Sequence, residues 1–230
     1  MISPYDWQES ISQRSQYIEN RLRAGSPIIA LALNFGTVLY TYRRHVRKIY
    51  EVYDQVMFSA IGAQADVENL RLAALDFAHR EGFAKSEADV SVGRIVGFAL
   101  SSPLKRAFGD LSTTPFVIRA LFAEMGRKPS EDLFFSLQYD GDFEANRQFS
   151  AVGGTKDAEK RMMNHLHDNY KPDLNLESAL NLCDEAWKIG ADLDVSGEPD
   201  PEILRNAHPE IGVLDRESKR ERRFQLLERQ

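Results

Sequence analysis

The sequence predicts an α+β protein built as a four-layer α-β-β-α sandwich. Two observations predict it. Hydrophobic periodicity comes in segregated blocks, strands then two helices, strands then two helices, then final strands, rather than alternating strand by helix. The strand runs are also short and joined by tight connections, which implies antiparallel pairing. Across its 230 residues no internal repeat, low-complexity tract or composition boundary divides the chain, so 1–230 is expected to be one domain.

The elements follow in order. Residues 7–23 place Ile11, Tyr17, Ile18 and Leu22 at helical spacing among polar neighbours. Such a helix has a narrow apolar stripe and needs a neighbour to complete its packing. Gly25 and Pro27 end it. The runs 28–33 and 37–42 are rich in strand formers and meet at Asn34–Gly36, residues that tolerate a tight hairpin turn. Two more strand runs, 47–53 and 55–62, turn at Asp54 and Gln55, and the four runs together predict one antiparallel sheet.

The period then changes. Val67, Leu70, Ala74, Phe77 and Ala78 share one helical stripe, closed by Gly82. Residues 89–109 predict a second helix with a break at Pro103. Strands return over 114–126, 132–143 and 145–154, with a hairpin turn at Tyr139–Asp142; its carboxylates lack the spacing of a calcium loop. Helices over 157–170 and 175–190 follow. Residues 191–209, rich in acid and proline, read as an exposed loop, and 210–228 as a last hairpin around a charged turn.

Composition excludes several classes. A net charge of −6 argues against a nucleic-acid role. No apolar run is long enough to span a membrane. The first ten residues lack the basic and apolar regions of a secretory signal. A lone Cys183 has no disulfide partner within the chain, which fits a reducing cytoplasm. His165 and His167 are two apart and face different sides of a helix, so no metal is expected. No cofactor motif is present.

Ser26 poses the chemical question, because Gly25-Ser26 stands at the mouth of a buried strand. The segments "GSPIIALALNFGTVLYTYRR", "KIYEVYDQVMFSAIG" and "DVENLRLAALDFAHREGF", with "AVGGT" before a later helix, resemble the proteasome core family, most closely bacterial α-type subunits. The resemblance covers nearly the whole chain and implies the sandwich of N-terminal nucleophile hydrolases. In catalytic β-type members the position matching Ser26 is a threonine freed by cleavage after glycine. Here the matching acid position is Tyr42, Pro27 follows directly, and residues before Ser26 read as a folded helix. Ser26 is therefore read as structural.

The resemblance further implies a non-catalytic α-ring subunit. Copies would form a heptameric ring on rings of proteasome β-type subunits and gate the entry of unfolded protein substrates. The lysine matching Lys48 would pair with the C-terminal carboxylate of an activator ATPase tail ending hydrophobic-Tyr-X; otherwise it is a solvated strand lysine. Gly25 and Ala63 match two further pocket positions. Residues 1–7, with Tyr5 and Asp6, match the gate segment, and Tyr17 a residue that steadies the open gate; Tyr5 could equally be a frayed terminus and Tyr17 a rung of the apolar stripe. Two rivals stand beside this reading: a self-activating amidohydrolase using Ser26, and a ring-forming relative that assembles without a β partner.

Overall fold

The computed structural model describes residues 4–86, 89–192, 207–218 and 223–227. The elements run α1 (Pro4–Leu22), β1 (Ile28–Leu33), β2 (Gly36–Arg43), β3 (Ile49–Tyr53), β4 (Val56–Gly62) and α2 (Gln64–Ala84). A composite helix follows: α3 (Val92–Arg94), a π-helical turn (Ile95–Leu100) and α4 (Ser101–Gly109). Then come β5 (Ile118–Glu124), β6 (Leu133–Gln138), β7 (Phe143–Asn146), β8 (Phe149–Val152), α5 (Lys156–Asn169), α6 (Leu176–Gly190), β9 (His208–Asp215) and β10 (Phe224–Leu227).

These form two antiparallel five-stranded sheets, ordered β10-β9-β2-β1-β8 and β3-β4-β5-β6-β7. Side chains alternate between sheet faces, and the alternation sorts the core into layers. Ile28, Ala30 and Ala32 face the space between the sheets, meeting Met57, Ile61, Leu121 and Phe134. Ile29, Leu31 and Leu33 face the other way, against Met162 and Leu166 of α5 and Cys183 and Trp187 of α6. In the second sheet Phe58 and Ala60 face Leu70 and Ala74 of α2 and Ile95 and Val96 of the π turn. Helix, sheet, sheet, helix is thus the observed layering, as predicted.

Several expectations are corrected. The first helix starts at Pro4, not at residue 7; proline fixes a helical φ in the first turn, and Asp6 suits its positive end. Tyr17 is 51% exposed while Ile18 and Leu22 are fully buried, so Tyr17 is not part of the apolar stripe. The first four strands do not make one sheet: β1 and β2 lie in one, β3 and β4 in the other. Run 145–154 is likewise two strands, because Gln148 at φ 70 turns the chain out of one sheet and into the other. Gly82 lies inside α2, where a Cβ would collide with the Tyr53 hydroxyl.

The break in the 89–109 helix comes before Pro103. Ser101 N–H bonds the Val96 carbonyl, five residues back, so a wider turn precedes the residue that lacks an N–H. Strand β9 begins at His208, inside the expected loop. Most of that loop (193–206), part of the charged turn (219–222) and residues 1–3 of the gate segment lie outside the described residues.

Candidate functional site

The site forms where α1 runs into β1, beside the crossover from β2 to β3. Glu210, at the start of β9 and 5% exposed, holds that crossover. Its carboxylate accepts from Lys48 N at 3.0 Å and Ile49 N at 3.1 Å. It also pairs with Arg43 at 3.5 Å and Arg47 at 3.9 Å. A buried acid persists only where charges and N–H groups surround it in this way.

The crossover so fixed aims Lys48 inward. Its Nζ donates to the Ser26 carbonyl at 3.0 Å and to Thr41 Oγ1 at 3.2 Å. Neither partner is charged. Burial pushes the ammonium down to about 7, with Glu210 pulling weakly the other way. The residue as a whole is only half-buried, so one side of it faces an opening.

Two hollows meet at this lysine. One, of about 450 Å³, is walled by Pro27, Tyr42, Trp187, Gly190, Arg23 and Arg43. The other, of about 300 Å³, is walled by Val46, Arg47, Ala60, Ile61 and Val67. Gly25, Ser26, Arg44 and Lys48 line both. Gly25 is required by its own chain: a Cβ there would lie 2.9 Å from the Leu22 carbonyl and 3.0 Å from Ile61 Cβ. Ala63 lines neither hollow; it caps the start of α2, and its N–H bonds the Val117 carbonyl at 2.9 Å.

Ser26 is committed to structure. Its hydroxyl donates to the Tyr42 carbonyl at 2.8 Å and accepts from Trp187 Nε1 at 3.1 Å. Lys48 meets the Ser26 carbonyl, not the hydroxyl, so no base addresses the would-be nucleophile. Tyr42, at the matching acid position, stacks on Trp187 with ring centres 4.2 Å apart and donates to Asp184 at 2.7 Å. Burial opposes the Asp184 charge, but hydrogen bonds from Tyr42, Tyr40 and Lys188 hold its carboxyl below the usual range.

The segment preceding Ser26 is likewise built in. Fully buried Arg119 donates to both Glu19 oxygens, and Tyr139, itself bonded to Ser15, reaches the same carboxylate at 3.1 Å. Arg14 bonds the Ala107 and Thr113 carbonyls at 3.0 and 2.7 Å. Cutting after Gly25 would remove Ile18 and Leu22 from the inter-sheet core. Among the gate positions, Tyr5 and Asp6 lie in the first turns of α1, where Asp6 is exposed and its carbonyl accepts from Ser10 at 2.7 Å. Tyr17 is exposed farther along the same helix.

Sequence reasoning missed Glu210, Trp187 and Arg119. Arg119 had a signal, a charge inside the apolar run "VIRALF". Glu210 had none, since its partner Lys48 lies 162 residues away.

A family profile described as Proteasome subunit matches residues 25–203. Proteasome subunit alpha of Kineococcus radiotolerans is 30% identical, over 98% of this chain and 92% of its own length. That of Actinosynnema mirum is 28% identical over 96% and 81%, and that of Gordonia bronchialis 28% over 99% and 87%. A sandwich with this layering, a serine held as structure, and similarity along nearly the whole length lead to one conclusion: the chain belongs to the proteasome subunit family, among its non-catalytic α-type members.

Proposed function

We propose that the chain works as an α-ring subunit of a 20S core particle, beside like subunits and on β-type subunits that carry out the proteolysis. It admits unfolded protein substrates through a pore bordered by the start of α1. It receives the C-terminal tail of an activator ATPase, ending hydrophobic-Tyr-X, in the hollow at Lys48. The observation that supports docking is Lys48 itself: an ammonium with only uncharged partners, placed where two hollows meet. A carboxylate arriving there supplies the charge the site lacks. Tail binding shifts the ring toward an open gate to the extent that the open form binds it better.

The work is assigned to the cytoplasm, where an unpaired cysteine stays reduced. Among the described residues no helix is long and apolar enough to cross a membrane. The deciding experiment is Lys48→Ala in the assembled particle. Activator-stimulated protein degradation is expected to disappear while small-peptide hydrolysis stays the same. Stimulation equal to the unsubstituted particle would remove Lys48 from docking.

A further inference from the structure

The hollow at Lys48 is more cationic than one terminal carboxylate needs. Arg43 and Arg47 are already engaged by Glu210, and Asp192, the acid on the rim, is engaged by Arg161. Arg23 and Arg44 are different. Both are exposed side chains lining the larger hollow, and neither side chain has a hydrogen bond or ion pair among the described residues. Arg44 lines both hollows, as Lys48 does, so it stands at their junction. This cationic cluster is local, because the chain as a whole carries −6.

We propose that this site selects an activator tail bearing two negative charges, the terminal carboxylate and an acidic side chain among its last three residues. The inference rests on the docking reading above and adds the tail's chemistry to it. The terminal carboxylate meets Lys48. The tail's tyrosine fits the larger hollow against the half-buried ring of Tyr42, which buried Trp187 backs from behind. The second carboxylate then lies within the field of Arg44 and Arg23. A guanidinium suits it because its planar fork takes a carboxylate through two hydrogen bonds. With one charge only, the tail leaves both arginines facing solvent, and nothing is gained from them.

The test is fluorescence anisotropy on the assembled particle at physiological salt, with labelled octapeptides ending Leu-Tyr-Glu or Leu-Tyr-Gln. The Glu peptide is expected to bind about fivefold more tightly, the scale of a well-placed, partly solvated ion pair. Combined Arg23→Gln and Arg44→Gln should bring the ratio of the two affinities to about one, whatever both peptides lose in common; both side chains are exposed, so the fold is not at stake. Lys48→Ala should weaken both peptides alike. Equal binding of the two peptides, with Lys48 dependence intact, would overturn the two-charge inference alone. Binding of both peptides that ignores Lys48 would overturn the docking reading as well.

Discussion

Arg119 Nη2 donates to both carboxylate oxygens of Glu19, at 2.6 and 2.7 Å, across 100 residues of sequence. The arginine is wholly buried in β5, and Glu19 comes from the otherwise polar helix α1. The pair therefore ties that helix to the inter-sheet core. Removing one partner of a buried pair costs more than the pair itself contributes, because the other charge is left behind.

Glu19→Ala should accordingly destabilise the chain by about 1–3 kcal/mol, because Glu19 is partly exposed and Arg119 keeps Glu159 at 4.0 Å and acceptors on Gln138 and Gly153. Glu19→Gln, which keeps an acceptor oxygen, should lose less. Urea denaturation of both variants checks the order. Equal stability of Glu19→Ala and the unsubstituted chain would mean that α1 is held by its apolar stripe alone.

Lys48 carries a pH dependence with two signs. Its folded value, about 7, lies below the ordinary lysine value of roughly 10.4. Between those limits the unfolded chain binds more protons, so this group's contribution to stability rises with pH across the window. Below it both forms are protonated and the burial penalty is at its fullest. Lys48→Met should therefore show its largest stability gain over the unsubstituted chain at low pH, shrinking as pH rises through the window. Docking runs oppositely. Tail-peptide affinity should fall as pH climbs from about 6 to about 8.5, and Lys48→Arg, which keeps its charge, should flatten the profile. Titration calorimetry in two buffers of different ionisation enthalpy reads the proton uptake directly.

Ser26→Ala removes a hydroxyl that serves Tyr42 and Trp187 at once. A loss of about 1–2 kcal/mol is expected, since the indole N–H is stranded. Proteolysis by the assembled particle should be unchanged. Any peptide hydrolysis by the isolated chain that vanished in this variant would reverse the structural reading of Ser26.

Deleting residues 1–7 removes Tyr5 and Asp6 with the first turn of α1 and leaves Ile18, Leu22 and Glu19 in place. Thermal stability should change little. Basal degradation of an unfolded protein by the assembled particle should rise several-fold without activator. No rise would place the gate elsewhere.

The layering was legible because blocks of period-2 and period-3.6 pattern are local properties of the chain. What the sequence concealed was partnership across distance. The β2–β3 crossover looks like any short strand connection, so the jump between sheets at residues 44–48 was invisible, as was the switch at Gln148. The position of Lys48 came from family resemblance; its surroundings did not. Neither the uncharged acceptors at its head nor the Glu210 clamp has a local signature. Gly25 is matched to a pocket position by resemblance alone, whereas its first constraint is the close approach of Leu22 and Ile61.

The Glu210 clamp also imposes an order in time. Lys48 leaves the ribosome long before β9, and until that strand is made the crossover lacks the carboxylate that pins its backbone. A nascent chain stalled anywhere upstream of β9 lacks the carboxylate at the crossover, so the proposed receptacle is completed only once β9 lies beside β2.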